Sequence, residues 1–332
     1  MRLSPASTGR PGPPLTERVD RCPACGSAVS GGVSCHDRRF RLHGDFVFAR
    51  CSACGAGVLT VRPTTTALPR YYPQEYGPHG SRPAGGSRGA LGRVVRGMLL
   101  LVPRVLPDSA AALQEELRHG AAHGAPRRVL DVGCGDGRHL AQDTQAGWRA
   151  TGVDFSPAAV ERARRRGLDV RLGTIHRDDL APASFDLIRL SHVIEHVPDP
   201  VGLLRRGRDL LAADGRIHVA TPNLAGVSAR LFGTYWWDLD CPRHLTMFTP
   251  DSLRQAARTA GLVVERERHE VAPSIFWASL GSWLADRPGG KRVTASSLRT
   301  NLPLRTLLYP LWWTLARMRR SERMHMVLRR EA

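Results

Sequence analysis

The sequence contains no run of about 18 uncharged apolar residues, which is the length that a helix needs to cross a membrane. The nearest candidate, residues 302–315, is too short and contains Arg305. The first twenty residues also lack the apolar core of a signal peptide. We therefore expect a cytoplasmic protein, whose C-terminal segment can lie on a membrane surface but cannot cross the bilayer.

Lysine is nearly missing as well, because Lys291 is the only lysine among 48 basic residues. The basic residues outnumber the 30 acidic ones and give a formal net charge of +18, which ordinarily indicates a polyanionic partner. A GC-rich coding sequence produces the same excess of arginine without selection for binding, so we do not expect a nucleic-acid partner. The 332 residues, 42% hydrophobic and 23% charged, are typical of a two-domain globular protein and exclude a disordered or collagen-like chain.

Cysteine is concentrated near the N-terminus, where five of the seven cysteines fall between Cys22 and Cys54. In a reducing compartment this distribution argues against a disulfide scaffold and for a metal site. Two C-x-x-C pairs can aim four thiolates at one ion, which is the ligand set of a closed, structural zinc site. The predicted Zn²⁺ ligands are Cys22, Cys25, Cys51 and Cys54. Cys35 and His36 are alternative ligands, but we expect that they do not bind the ion, because four sulfur atoms already complete the tetrahedron.

From residue 127 onward, short β-rich runs alternate with helical stretches, a pattern typical of a layered α/β protein. Strands are predicted at 128–132, 150–154, 169–172, 185–190, 216–220 and 262–267. Helices are predicted at 137–146, 157–166, 200–211 and 250–260, and residues 91–117 also have helical spacing. The order of these elements predicts a doubly wound, Rossmann-like sheet.

A glycine-rich turn, residues 133–137, follows the first of these strands and opens a helix. Its glycines let the backbone approach a ligand at the carboxyl edge of the sheet. Asp131 precedes the glycines, and the last glycine of the G-x-G-x-x-G pattern that a pyrophosphate site requires is absent at that spacing. The loop therefore favours a ligand with an ammonium group over a phosphate. Asp154 ends the second strand, where an acidic side chain accepts hydrogen bonds from ribose hydroxyls.

These motifs follow one another in an order that resembles the class I S-adenosylmethionine-dependent methyltransferases. The matching segments are Asp131-x-Gly133-x-Gly135-x-Gly137, Asp154, Gly173-Thr174-Ile175, Ser184-Phe185-Asp186 and the run from Ser191-His192 through Glu195-His196 to Pro200. The resemblance implies that Asp131, Gly133, Cys134, Gly135 and Gly137 hold the methionine part of S-adenosylmethionine, Asp154 the ribose, Phe155 one adenine face, and Thr174 and Ile175 the adenine edge. It further implies that Ser191 and His192 lie close to the sulfonium.

The sequence motifs specify the methyl acceptor less closely than they specify the cofactor. Methyl transfer is an in-line displacement, so a base is needed only where the acceptor must lose a proton. His192 and His244 are the predicted catalytic residues, whereas we interpret His196 as structural. Residues 222–249 form a predicted lid, in which an aromatic cluster faces a small acceptor and Arg243 contacts an anionic group.

The N-terminal part carries a resemblance of its own. The segment Cys51-x-x-Cys54-Gly55, followed by Arg62-Pro63 and the tyrosine-rich residues 71–76, is similar to bacterial methyltransferases that join a zinc-binding region to the catalytic domain. Sugar C-methyltransferases and tailoring enzymes of glycans and secondary metabolites belong to this group. The resemblance implies a small-molecule acceptor, such as a sugar, glycan precursor or secondary metabolite.

The predicted organisation is therefore modular. It comprises a flexible tail (1–20), a zinc module (21–62), a linker and helical segment (63–125), the methyltransferase domain (126–270) and a basic helical extension (271–332). The extension, rich in tryptophan and leucine, is the segment for which we expect peripheral membrane contact. Two alternatives stay open: an rRNA or tRNA methyltransferase, favoured by the charge of +18, and an inactive zinc-containing scaffold, which would not bind the cofactor.

Overall fold

The computed structural model describes residues 15–73, 106, 108–119, 127–287 and 308–331. Within these ranges the strands are β1 Thr16–Arg18, β2 Val33–Cys35, β3 Phe46–Arg50, β4 Gly57–Pro63, β5 Arg128–Val132, β6 Arg149–Asp154, β7 Asp169–Leu172, β8 Phe185–Ser191, β9 Leu211–Pro222, β10 Thr246–Met247, β11 Leu262–His269 and β12 Arg323–Arg330. The helices are α1 Ser109–His119, α2 Arg138–Gln145, α3 Pro157–Arg165, α4 Pro200–Leu210, α5 Val227–Phe232, α6 Pro250–Thr259, α7 Pro273–Ala285 and α8 Tyr309–Arg317. None of these helices has the length and apolarity to cross a membrane.

Seven strands form the larger sheet, in the order β11-β12-β9-β8-β5-β6-β7. The neighbours from β9 to β7 are parallel, whereas β12 runs antiparallel to both β9 and β11. The chain starts in the middle at β5, builds β6 and β7 on one side, and then returns to build β8 and β9 on the other. In such sheets a ligand binds outside the carboxyl ends of the strands at this switch point, here between β5 and β8.

The predicted Rossmann-like sheet is confirmed, and its local signals explain why. The central strands are buried nearly throughout, as apolar runs in parallel sheets are. Some of the helices begin at capping residues: the side chain of Ser156 accepts a hydrogen bond from the Ala159 amide at the start of α3, and Thr249 and Ser252 form a capping box at the start of α6. Each predicted strand and helix between residues 127 and 270 is present, with bounds shifted by up to five residues.

The C-terminal segment differs from the predicted helical extension. Helices α7 and α8 agree with the prediction, but Arg323–Arg330 is the strand β12, so the helical prediction is wrong there. Residues from Met324 to Leu328 are buried because β12 fills the position between β9 and β11. This outcome depends on pairing with two distant strands, which the local sequence pattern does not reveal. Residues 288–307, part of the same prediction, and most of the helix predicted at 91–117 lie outside the described residues.

The smaller sheet is antiparallel, with the order β1-β4-β3-β2, and it carries all four predicted zinc ligands on the turns before β2 and between β3 and β4. The predicted lid joins this sheet, because Thr246 and Met247 of β10 pair with Val58 and Gly57 of β4. Val58 of the module and Phe248 of the lid belong to one apolar cluster, which also contains Leu190 of β8. The lid and the cysteine-rich module are therefore packed as one structure.

Candidate active site

The glycine turn lies at the carboxyl end of β5 and shapes the switch-point crevice. Gly133, Gly135 and Gly137 have φ values of 65°, 56° and 79°, in the left-handed region that favours glycine. A Cβ atom on Gly133 would lie 2.7 Å from Cγ2 of Val193, so the turn packs directly against the segment after β8. The side chain of Cys134 is buried, so only the backbone of this residue can take the predicted part in cofactor binding.

Asp131 is a buried carboxylate in this crevice, with 2% of its surface exposed. Its Oδ2 has no hydrogen-bond partner within the described residues, and the nearest cation, Arg189, lies 3.9 Å away and is held by Asp143 at 3.1 Å. Burial raises the pKa of Asp131 to about 7, although the Arg189 charge opposes the shift. A buried carboxylate with a free oxygen fits a ligand that brings its own positive charge, such as an amino acid ammonium group.

Asp154, at the end of β6, is oriented by backbone amides. Its Oδ2 accepts a hydrogen bond from Gly135 at 2.8 Å, and its Oδ1 accepts one from Ser156 at 2.8 Å. Each oxygen keeps a second lone pair with which it can accept a ribose hydroxyl. The next residue, Phe155, is 55% exposed, and Leu172 at the end of the neighbouring strand β7 is 43% exposed. Such an exposed apolar pair beside a ribose site is suited to cover an adenine ring.

The two residues predicted to contact the adenine edge differ in their exposure. Thr174 is exposed after β7, and its Oγ1 accepts a hydrogen bond from the amide of His176. The side chain of Ile175 is fully buried in the core, so only its backbone is left to contact an adenine edge. Both contacts stay predictions.

His192 and Glu195 form a hydrogen-bonded pair directly after β8. Nδ1 of His192 lies 3.1 Å from Oε1 of Glu195, and Oε2 of Glu195 accepts a hydrogen bond from Thr221 at 3.0 Å. Because a carboxylate only accepts, Nδ1 carries the proton and Nε2 presents a lone pair. The His192 side chain is 36% exposed while Glu195 is fully buried, and His192 has a φ of 55°, an unfavourable value that is common at functional sites.

The electrostatics keep Glu195 ionised. Burial would raise its pKa, but the hydrogen bond and charge of His192, with the charges of His196 and His244, lower the pKa to about 2. An ionised carboxylate behind an imidazole orients the ring and stabilises its protonated form, as in other histidine–carboxylate pairs that act as a general base. Ser191, the last residue of β8, is half-buried beside His192.

Behind this pair lies a second group of polar side chains. Nδ1 of His196 lies 2.9 Å from the Tyr72 hydroxyl, and the His196 and His244 rings meet edge-on at 4.5 Å. Burial, and then the charge of His244, lowers the pKa of His196 to about 4, so its imidazole is neutral at pH 7. Donor atoms of Glu195, His196 and His244 lie within 4.8 Å of one another, a set of nitrogen and oxygen ligands that can hold a divalent metal ion.

His244 is placed deeper than the predicted catalytic role requires. It is 7% exposed, and its Nδ1 lies 2.6 Å from the carbonyl oxygen of Asp238. Its Nε2 is 4.0 Å from the Asp240 carboxylate. Nδ1 of His244 is therefore engaged by a backbone carbonyl, and the side chain is far less exposed than that of His192, which is 36% exposed.

Arg243 does not face an acceptor, so its predicted contact with an anionic group is wrong. Its side chain is fully buried between two carboxylates, with Nη2 at 2.9 Å from Asp37 of the cysteine-rich module and 2.8 Å from Asp240 of the lid. Nη1 also donates to the Tyr71 carbonyl at 3.0 Å. Buried carboxylates of the protein take up the guanidinium charge, which is why no external anion is required.

The aromatic cluster of the lid also packs inward. Arg38 stacks on Tyr235 at 3.7 Å from the ring centroid, and Arg39 lies 5.3 Å from the Trp237 ring. Trp236 is 3% exposed. The predicted aromatic surface for an acceptor is therefore wrong for these three residues, because the cysteine-rich module covers them.

The four predicted zinc ligands converge at one point. The Sγ atoms of Cys22 and Cys54 lie 3.7 Å apart, and those of Cys25 and Cys51 lie 3.6 Å apart. Sulfur atoms about 2.3 Å from a central Zn²⁺ in a tetrahedron are about 3.8 Å from one another, so the spacing fits. Each C-x-x-C pair ends at a glycine with φ of 77°, Gly26 or Gly55, whose amide donates to the carbonyl of the first cysteine.

Cys35 and His36 lie elsewhere. The Sγ of Cys35 is 3.2 Å from that of Cys241 in the lid, and both thiols are buried. Neither Cys35 nor His36 belongs to the four-cysteine cluster.

Four residues of the site were given no role from the sequence alone: Tyr72, Glu195, Asp37 and Asp240. Glu195 had a signal, since a glutamate three residues after a histidine can meet it within one turn. Asp240 had the same kind of signal, three residues before Arg243, whereas Asp37 and Tyr72 had none because they come from distant parts of the chain.

Comparison with known proteins gives an independent view of the central region. Residues 107–267 match the model of a family described as Methyltransferase domain. The ubiquinone biosynthesis O-methyltransferase of Xanthomonas euvesicatoria is 36% identical over 106 residues, which is 30% of this chain and 44% of that protein. An uncharacterized 37.1 kDa protein in a Streptomyces fradiae transposon is 33% identical over 147 residues, 40% of this chain and 41% of that protein. The chain thus spans less than half of the curated relatives that it matches.

Solved structures with a similar arrangement include geranyl diphosphate methyltransferase in complex with S-adenosylmethionine. That structure has a TM-score of 0.48 and 16% identity and covers 74% of this chain and 93% of its own. The 1,6-didemethyltoxoflavin-N1-methyltransferase of Burkholderia thailandensis has a TM-score of 0.41 and 18% identity, with 76% of this chain and 95% of its own covered.

Proposed function

We propose that the chain is a class I S-adenosylmethionine-dependent methyltransferase that methylates a small molecule whose acceptor atom gives up a proton, and the match of residues 107–267 to the Methyltransferase domain family supports this. The observation that carries the proposal is the pair of His192 and Glu195 at the switch point, with the imidazole exposed and the carboxylate buried. A base is useful only where methylation removes a proton. We place a hydroxyl first among the acceptors, on a sugar, a glycan precursor or a secondary metabolite.

The proposed chemistry uses few groups of the protein. S-adenosylmethionine, when bound, supplies an electrophilic methyl carbon on a sulfonium. The free carboxylate oxygen of Asp131 would hold its ammonium group, Asp154 would hold the ribose, and Phe155 with Leu172 would cover the adenine. His192 would take the acceptor proton on Nε2, and ionised Glu195 would stabilise the imidazolium through Nδ1–H. His244, which is buried and has Nδ1 2.6 Å from the Asp238 carbonyl oxygen, is assigned a positioning role in the same proposal.

The acceptor class has modest support from the relatives. The Xanthomonas protein is named as an O-methyltransferase of ubiquinone biosynthesis, which favours oxygen as the acceptor atom here too. The crevice side of the lid does not offer the expected stacking surface, so recognition would depend on polar groups around His192.

The first experiment is calorimetric titration of the purified, zinc-loaded protein with S-adenosylhomocysteine. We expect micromolar binding that Asp131→Ala and Asp154→Ala abolish. Transfer of a labelled methyl group to a panel of hydroxylated acceptors then identifies the substrate. His192→Ala should lower kcat by about 100-fold with the cofactor affinity unchanged. His43→Ala, an exposed histidine of the cysteine-rich module, is the matched control. A folded protein that does not bind S-adenosylhomocysteine would overturn the proposal and favour the scaffold alternative.

We also propose that the four-cysteine cluster holds a structural Zn²⁺. The spacing of the sulfur atoms and the two equivalent glycine-ended turns support a closed tetrahedral site. The ion would fix the turns from which β2 and β4 start, and so the sheet that the lid completes. Metal analysis should find one zinc per chain in the wild type and less in Cys51→Ser, whereas Cys35→Ser should keep the full amount.

Peripheral membrane contact of the C-terminal segment is a separate proposal. On α8 and just after it, Leu311 is 53% exposed and Met318 is 64% exposed, close to Arg317 and Arg320. Apolar side chains flanked by arginines are suited to an anionic lipid surface. Co-sedimentation with vesicles of phosphatidylglycerol tests it, and Leu311→Asp/Met318→Asp should abolish binding. Equal sedimentation of wild type and variant would reject this contact.

A further inference from the structure

A cleft between the cysteine-rich module and the lid is separate from the proposed active site. It has a volume of about 320 Å³, and its walls come from β2 and β3 on one side and from α5 and the turn after it on the other. None of its lining residues belongs to the cofactor positions or to the histidine cluster. Its size is at the lower end of the range for small-molecule sites.

The interior of this cleft is apolar. Phe48, Leu224, Trp236 and Leu239 line it, and Val33 at its side is 54% exposed. This exposure, beside the other apolar side chains, leaves surface that an apolar ligand can cover.

The charges at the cleft are of one sign. Arg50 of β3 and Arg230 of α5 line opposite walls, and no acidic residue lines the cleft. In the part of the chain that the structure describes, neither guanidinium makes a hydrogen bond or an ion pair, whereas most other arginines of this protein pair with a carboxylate or a carbonyl. Two unpaired guanidinium groups beside an apolar cleft favour an anionic head group.

We propose that this cleft binds an amphipathic anion, namely an alkyl or prenyl chain that carries a phosphate or carboxylate. The apolar chain would lie along Phe48 and Leu224, and the anionic group would bridge Arg50 and Arg230. The inference goes beyond the proposed function, because the cleft shares no lining residue with the methyl-transfer site. A ligand here would bridge the module and the lid, and it would therefore favour the packed arrangement that holds the lid in place.

Calorimetry with decyl phosphate as the probe tests the proposal, with inorganic phosphate and decyl maltoside as separate arms. We expect decyl phosphate to bind, inorganic phosphate to bind at least 100-fold more weakly, and decyl maltoside to bind at least tenfold more weakly than decyl phosphate. Arg50→Gln/Arg230→Gln should weaken binding of decyl phosphate at least tenfold, and Ala229→Trp should do the same by filling the cleft.

The control for lost positive charge is Arg149→Gln/Arg258→Gln, which removes two exposed arginines far from the cleft in sequence and should leave the affinity unchanged. Thermal unfolding followed by tryptophan fluorescence shows whether each variant is folded, and titration with S-adenosylhomocysteine on the same samples reports on the proposed function independently. Absence of decyl phosphate binding to the wild type would overturn the proposal. So would binding that both cleft variants retain, or inorganic phosphate binding as tightly as decyl phosphate.

Discussion

Replacing Asp37 by asparagine tests whether the cysteine-rich module holds the lid through a buried charge. Asp37 contributes both carboxylate oxygens to Arg243 at 2.9 Å, and neither side chain has exposed surface. The asparagine amide has nearly the same shape as the carboxylate, so it can keep one hydrogen bond to the guanidinium but not the charge. The perturbation is therefore electrostatic, without a cavity.

The expected loss in the free energy of unfolding follows from the burial of both charges. Removing one partner of a buried ion pair costs about 3–5 kcal/mol, because the other charge stays in a medium of low polarity. Asp240 still contacts Arg243 at 2.8 Å, so we expect the lower end of this range, about 3 kcal/mol. With a urea m value of about 3 kcal/mol per molar, this lowers the unfolding midpoint by about 1 M.

A matched substitution at the surface provides the control. Arg216 and Glu265 form a two-point contact at 2.7 Å and 3.0 Å, but their side chains are 38% and 28% exposed. Glu265→Gln makes the same chemical change in solvent, where the loss should stay below about 1 kcal/mol. Urea unfolding of the zinc-loaded proteins, followed by tryptophan fluorescence, compares the two. Equal midpoints for Asp37→Asn and Glu265→Gln would refute the reasoning.

Three further outcomes are expected. Because burial raises the pKa of Asp131 from 3.8 to about 7, the folded state binds this proton more tightly than the unfolded state, and the stability of the protein falls as pH rises between about 4 and 7. In Asp131→Asn this pH dependence should disappear from the thermal unfolding of the cofactor-free protein, and the variant should be more stable than the wild type at pH 8. Gly133→Ala should abolish S-adenosylhomocysteine binding in calorimetry because its Cβ would meet Val193 at 2.7 Å, whereas Gly147→Ala, with φ of 88° and open space, should only reduce stability by about 1–2 kcal/mol. Glu195→Gln should lower kcat by about 100-fold with little change in KM in a steady-state assay, since the imidazolium of His192 loses its partner; an unchanged kcat would remove His192 from the proposed mechanism.

Much of the site was predictable because its signals are local. The apolar strand, the glycine turn and Asp154 at the end of the next strand follow one another within 26 residues from Val129 to Asp154, and strand ends of a parallel sheet meet at one edge. The two C-x-x-C pairs were equally local, and their convergence follows from two similar turns. The position of His192 came from the resemblance to the methyltransferase motifs and from histidine being a residue type that titrates near neutral pH, and its side chain is 36% exposed directly after β8.

The sequence by itself determined the elements whose signals lie within a few consecutive residues: the capped helices, the apolar central strands, the glycine turn and the cysteine turns. The tertiary structure decided what depends on residues far apart in the chain. It placed β12 between β9 and β11, turned Arg243 toward Asp37 across 206 positions, and gave His192 rather than His244 the exposed nitrogen. The physical reason is that burial and charge pairing belong to the packed chain, where the environment of a histidine or an arginine is set by its neighbours in space.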